Sequence, residues 1–178
     1  MGDGPVTRSL DLDAIGSGHP VADHCDEITT ALDVGRAVIV APPGTGKTTF
    51  VPPLVASRCS GRVIVTQPRR VAARAAARRL STLTRTRPGE FASHTVRGES
   101  TTTRDTRVEF VTTGILLRRL MRDPDLTGVD AVVLDEVHER HLDADLAVAM
   151  VCEVAQLRED LTVCLLYTSP SPRDRTRS

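Results

Sequence analysis

Aromatic side chains are almost missing from this sequence: there is no tryptophan, one tyrosine and three phenylalanines in 178 residues. A surface that grips its ligand by stacking on rows of aromatic rings is therefore excluded as the main mode of binding. Lysine is scarcer still. Lys47 is the only one, and arginine supplies the other 22 basic residues. No apolar run approaches the roughly 20 residues a membrane span needs, so no membrane partner is expected. The amino terminus carries no basic segment followed by an apolar core, the mark of a secretory signal. Cys25, Cys59, Cys152 and Cys164 never form a Cys-x-x-Cys pair, which argues against a zinc site and a disulfide framework. A reducing, cytoplasmic setting fits.

What is present suits one soluble α/β domain. Apolar residues make up 40% and charged residues 26% of the chain, ordinary values for a globular protein long enough to bury a core. The formal net charge of zero hides a division. Residues 62–122 hold 14 arginines against four acids, whereas residues 123–163 hold 11 acids against two arginines. Solvated faces would account for this by themselves. A basic region for a polyanion and an acidic region for a divalent cation would account for it equally well.

The most informative stretch runs from Ala37 to Arg58. Ala37-Val38-Ile39-Val40 is a short apolar run suited to a buried parallel strand. Ala41-Pro42-Pro43-Gly44-Thr45-Gly46-Lys47-Thr48 follows, and Thr49–Arg58 reads as a helix. A phosphate-binding loop has this order: strand, glycine-rich turn, helix amino terminus. Its usual opening glycine is Ala41 here. Gly44 and Gly46 let backbone N–H groups converge on a phosphate, and the helix end adds partial positive charge. Pro43, Gly44, Thr45, Gly46, Lys47, Thr48 and Thr49 are the expected nucleotide contacts. Lys47 would reach the β/γ-phosphates of ATP, and the Thr48 hydroxyl would ligate Mg²⁺. A lone lysine in an arginine-rich chain, placed where a slim point charge is needed, strengthens that reading over a plain Gly/Pro turn.

Further strands are expected at Arg62–Thr66, Val108–Thr112 and Ala131–Leu134, with a weaker one at Phe91–Val96 and a last one beginning at Leu161–Val163. Helices are expected at Val21–Val34, Arg69–Leu83, Gly114–Arg122 with Thr113 as its cap, and Asp143–Leu157. The last should present Leu146, Ala149, Met150, Val154 and Leu157 on one face. Strands alternating with helices predict a mostly parallel sheet covered on both faces, with ligands at its carboxyl edge. Residues 1–20, rich in Gly, Asp, Ser and Pro, read as a flexible lead-in.

Asp135-Glu136 ends the strand Ala131–Leu134. Opposite a phosphate loop, Asp135 would hold Mg²⁺, usually through water, and Glu136 would orient and deprotonate the attacking water. The loop and this pair also fit ring-forming AAA+ ATPases, or a nucleotide-binding fragment without turnover. Three segments in order narrow the choice: Thr66-Gln67-Pro68-Arg69-Arg70, then Thr112-Thr113-Gly114-Ile115-Leu116-Leu117-Arg118, then Asp135-Glu136-Val137-His138-Glu139-Arg140. Together they resemble superfamily 2 helicases of the DEAH/RHA family. The phrases Pro-Arg-Arg-Val-Ala-Ala-Arg-Ala and His94-Thr95-Val96-Arg97-Gly98-Glu99 look like its bacterial HrpB-type branch, with Val137 in place of the alanine of the family motif.

That resemblance covers Pro20–Val163 and implies a RecA-like P-loop domain, ATP hydrolysis with Mg²⁺, and movement along single-stranded nucleic acid, RNA in the first instance. It implies that Gln67, Pro68, Arg69 and Arg70, with Thr112, Thr113 and Gly114, hold the strand's backbone. It also implies that His138 links the nucleotide site to the segment after the last strand, and that a second RecA-like domain, absent here, completes the site. A zinc site at His138 and His141 is the competing reading of that pair; its spacing is one residue short of the metalloprotease motif and no third ligand appears. The stretch from Cys164 to Asp174 resembles translated sequencing adapter rather than gene. Residues 164–178 are expected to be a non-native tail, and residues 21–163 the incomplete catalytic domain.

Overall fold

Runs of β-branched residues flanked by glycine and polar turns set the sheet. The computed structural model describes residues 10–139 and 141–170. Seven strands form one sheet: β1 Arg36–Ala41, β2 Arg62–Gln67, β3 Ala92–Val96, β4 Glu99–Ser100, β5 Val108–Thr112, β6 Val129–Leu134 and β7 Thr162–Thr168. They lie in the order β1-β7-β6-β2-β5-β3-β4, and every pairing is parallel except β3 with β4. Parallel strands buried on both faces must be apolar throughout, and Val63, Ile64 and Val65 of β2 are all fully buried.

Six helices cover the faces: α1 Leu12–Gly16, α2 Cys25–Asp33, α3 Lys47–Ser57, α4 Arg70–Thr84, α5 Thr113–Arg122 and α6 Leu142–Leu157. Alternation along the strands divides the core. Val63, Val65 and Val133 pack with α1 to α4, through Ile15, Ile28, Phe50 and Leu80. Ile64 and Val132 pack with α5 and α6, through Leu116, Leu120, Ala147 and Val151. The expected architecture is therefore present. Among the described residues no helix is long and apolar enough to cross a membrane.

Four expectations are corrected. Residues 10–20 are not a loose lead-in: Asp11 caps α1 by accepting from the Ala14 N–H at 2.9 Å, and Ile15 is buried against the core. One buried isoleucine outweighs polar composition around it. Residues 1–9 lie outside the described residues. The helix expected from Val21 is split into a 3₁₀ turn, Pro20–His24, followed by α2. Thr113 is the first helical residue of α5 and Thr112 is the capping position, without a side-chain cap bond. On α6 the buried face is Ala147, Val151, Val154 and Ala155, and Leu146 and Leu157 point to solvent. The segment from Leu146 to Val151 is apolar all round, so periodicity could not select a face, and the small residues are those that let the helix approach the sheet.

The last strand also extends past the expected boundary at Val163. β7 continues to Thr168 and lies between β1 and β6, with Cys164 and Leu166 fully buried. A central parallel strand asks only for apolar residues in sequence, and Cys164-Leu165-Leu166 provides them whatever the origin of the stretch. Residues 171–178 lie outside the described residues.

Candidate active site

The carboxyl ends of β1, β6 and β2 bring the expected residues together. The loop after β1 turns through Gly44 and Gly46 at φ +75° and +86°, values that side-chain-bearing residues resist. Gly46 has a second reason to be glycine: a Cβ there would meet the His19 ring at 2.5 Å. The Val21 N–H donates to the Thr45 carbonyl at 3.1 Å. Residues 19–21 thus brace the loop from outside, a contact with no signal in the sequence.

Helix α3 starts at Lys47, two residues earlier than expected, so Lys47 and Thr48 stand on its first turn with their N–H groups facing the loop. Lys47 is buried, and its Nζ donates to the carbonyls of Ala41 and Pro42 at 2.9 and 3.0 Å. Burial pulls its ammonium below the ordinary lysine value, while Asp135 and Glu136 act in the opposite direction. The lysine is held ready at the edge of its loop by bonds that stronger phosphate acceptors can replace.

Asp135 is the hub of the site. Its Oδ2 accepts from the Thr48 hydroxyl at 2.5 Å and from Gln67 Nε2 at 2.7 Å. Its backbone N–H donates to the Thr66 hydroxyl at 3.3 Å, and its Oδ1 accepts from the Glu136 N–H at 2.8 Å. The two expected Mg²⁺ ligands, Thr48 and Asp135, are therefore in direct contact. A hydroxyl and a carboxylate are hard oxygen donors, the set Mg²⁺ takes when phosphates and water complete its shell. The residues fit the ion. Beneath them Cys164 is pushed up to about 12 by burial and by Asp135, which keeps it a thiol.

Glu136 occupies the left-handed region at φ +57°, a strained setting that costs about 1–3 kcal/mol and recurs at functional turns. Burial, and then Asp135, push its carboxyl above the ordinary range, opposed by His138. His138 Nε2 lies 3.0 Å from Glu136 Oε2, and its Nδ1 accepts from the Thr168 N–H at 3.3 Å. An Nδ1 that accepts leaves the ring proton on Nε2, which then donates to Glu136. His138 thus joins the carboxylate to the end of β7. Among the described residues no cluster of His, Cys, Asp and Glu could hold a metal ion, so the zinc reading of His138 and His141 finds no support there.

Removing His138 should raise the Glu136 pKa further, because both the donated bond and any positive charge on the ring favour the carboxylate. The Glu136 carboxyl is then expected to titrate at higher pH in His138→Ala. An NMR titration of the Glu136 carboxyl in the two proteins would measure it; an unmoved or lowered midpoint would separate His138 from that carboxylate.

The two expected strand-binding segments are neighbours, since Gln67 and Thr112 are partners in the β2–β5 register. Arg69 and Arg70 are exposed at the start of α4, and Pro68, Thr112, Thr113 and Gly114 are half-buried beside them. Gln67 differs. It is buried with its amide on Asp135, because the strand ends one residue after Thr66 and turns the side chain inward. It links the basic surface to Asp135.

A family model described as DEAD/DEAH box helicase matches residues 23–171. The chain is 42% identical over 154 residues to the ATP-dependent RNA helicase HrpB of Escherichia coli (strain K12), covering 84% of this chain and 19% of that protein. It is 39% identical over 133 residues to the ATP-dependent RNA helicase DHX33 of Homo sapiens, covering 72% and 19%. The crystal structure of the E. coli DEAH/RHA helicase HrpB superposes with a TM-score of 0.81 at 39% identity, over 89% of this chain and 21% of that one. The chain therefore spans about a fifth of the length of these relatives. The matches decide between the classes that the loop and the Asp-Glu pair left open, in favour of the helicases over the ring-forming ATPases.

Proposed function

The chain belongs to the DEAD/DEAH box helicase family, and from that premise we propose that it binds Mg·ATP and couples its hydrolysis to movement along single-stranded RNA. The observation that carries this reading is the contact of Thr48 with Asp135, beside Glu136 and Lys47, at one sheet edge. Residues 43–49 cradle the phosphates, with Lys47 placed for the β/γ-phosphates. Thr48 and Asp135 would hold Mg²⁺, which would supply shielding of the phosphate charge. Glu136 orients the attacking water and takes its proton. Its raised pKa brings it nearer to the operating pH of a general base. His138 fixes the orientation of that carboxylate.

Pro68, Arg69, Arg70, Thr112, Thr113 and Gly114 bind the strand by its backbone, and Gln67 transmits their position to Asp135. The scarcity of aromatic residues favours phosphate contacts over base stacking. A second RecA-like domain closes over the nucleotide. On this reading that domain also supplies the cation that answers the transition state. A cytoplasmic location suits four free thiols.

Single-strand binding tests this reading. With about three to five phosphate contacts, log affinity should fall against log salt with a slope of about −2 to −3.5. Arg69→Ala should shorten that slope by about 0.7 and weaken all sequences alike. An affinity indifferent to salt, or a base preference lost on mutation, would rule out backbone tracking by these residues.

A further inference from the structure

Helix α4 carries a further arginine on the face of Arg70. Arg74 lies four residues later, so it stands one turn below, about 6 Å along the helix axis. Helical side chains lean toward the amino terminus of their helix, which leads the Arg74 side chain back toward the carboxyl edge of the sheet. The β3–β4 turn reaches the same edge. Val96 pairs with Glu99, and Val96 is one residue past the Thr95–Val111 pair of β3 and β5. The turn at Arg97 and Gly98 therefore stands beside residues 112–114, and Glu99 is two strand spacings, about 10 Å, from Thr112.

Glu99 occupies Arg74. Its Oε2 accepts from Arg74 Nε at 3.0 Å and from Arg74 Nη2 at 2.5 Å, while its Oε1 lies 2.8 Å from His94 Nε2. The bonds from Arg74, and then from His94, hold the Glu99 carboxyl below the ordinary glutamate range, so it stays an anion. An anion that takes two guanidinium N–H groups on one oxygen and faces an imidazole with the other presents what the oxygens of a strand phosphate would present. The pair is open to water, with the Arg74 side chain 35% and the Glu99 side chain 42% exposed. Ion pairs of that kind are weak and yield to a competing anion. Arg69, Arg70 and Arg97 are exposed at the same edge. Arg119 offers no such exchange: its partner Glu109 is buried, and its release would leave an unpaired carboxylate in the core.

We propose that Arg74 is a further contact for the backbone of the strand, held in the free protein by Glu99, whose carboxylate stands in for a phosphate. The inference rests on the strand-binding reading of Arg69 and Arg70. A phosphate that reaches Arg74 displaces Glu99, and His94 keeps the released carboxylate on the β3–β4 hairpin.

The test follows a single-stranded oligouridylate binding to the full chain by fluorescence anisotropy over a range of salt. Arg74→Ala should weaken binding and shorten the slope of log affinity against log salt by about 0.7. Glu99→Gln, which keeps the shape and removes the charge, should tighten binding about two- to fivefold, the worth of an exposed ion pair. With both substitutions together the tightening should vanish, because it acts through Arg74. Tightening that persists without Arg74 would make Glu99 a general repulsive charge. Weaker or unchanged binding in Glu99→Gln would make it a brace of the hairpin. Either result overturns the proposal, as does an unmoved slope in Arg74→Ala. Arg69→Ala separates this inference from the reading beneath it. A slope unmoved there removes the strand-binding surface altogether, whereas a slope shortened there and unmoved in Arg74→Ala removes Arg74 alone.

Discussion

Lys47→Ala is expected to cost the chain most of its affinity for Mg·ATP while leaving the fold intact. The ammonium is buried at the loop but takes part in no apolar cluster; its partners are the Ala41 and Pro42 carbonyls. When a triphosphate enters, those bonds give way to bonds with phosphate oxygens. Bonds to charged groups are worth about 1.5–3 kcal/mol each. One or two such bonds correspond to about a tenfold to ten-thousandfold loss, at 1.4 kcal/mol per tenfold. Burial already pulls the Lys47 ammonium down, so the free protein bears a cost of desolvation that ATP recovers. That asymmetry predicts a variant at least as stable as the parent in urea and nearly unable to bind. Calorimetric titration measures the affinity. Equal binding by the two proteins would mean that the loop holds something other than a triphosphate.

The loop was legible because its chemistry demands rare residues in a fixed order. Positive φ at Gly44 and Gly46, and the lone lysine after them, are constraints that leave a mark on sequence. β2 and β6 were legible because a parallel strand buried on both faces is apolar nearly throughout, whereas β1, read as buried, is the edge strand and leaves Val38 and Val40 exposed. What escaped notice depends on long-range packing. His19 lies 27 residues before Gly46 yet occupies the space that a Cβ there would need. Gln67 sits in a segment read as strand-binding, but only the register of β2 beside β6 shows that its amide faces Asp135. Glu109 looked like one polar residue inside a strand, and its pairing with Arg119, Arg62 and Thr95 joins three elements. The face of α6 stayed hidden for the opposite reason: with apolar residues all round, the pattern held no contrast to read.

Hydrolysis by this chain alone is expected to be slow even where ATP binds well. On the proposed reading Lys47, Thr48, Asp135 and Glu136 provide the cradle, the metal ligands and the base; Asp135 bonds both Thr48 and the Glu136 N–H, and Lys47 feels the charge of both carboxylates. Charge accumulates on the γ-phosphate oxygens in the transition state, and a cation placed there is the most effective single stabiliser. An arginine supplied in that position is worth roughly 10³–10⁵ in rate in related enzymes, or about 4–7 kcal/mol of barrier. Among the described residues, the arginines closest in sequence to the loop serve other ends. Arg36 donates to the Ala155 carbonyl, and Arg58 is tied to Asp33. A base with a raised pKa cannot make up a deficit of that size, since general-base catalysis contributes about 10²–10⁴ in total. The check is steady-state ATP turnover by the purified chain, with and without single-stranded RNA, beside Glu136→Gln as the control that keeps ATP binding and removes the base. The expected rate lies far below 1 s⁻¹, unmoved by RNA and lower again in the control. RNA-stimulated turnover near 1 s⁻¹ or above, the ordinary range of enzymes, would mean that the site is complete in this domain and that no outside cation is required.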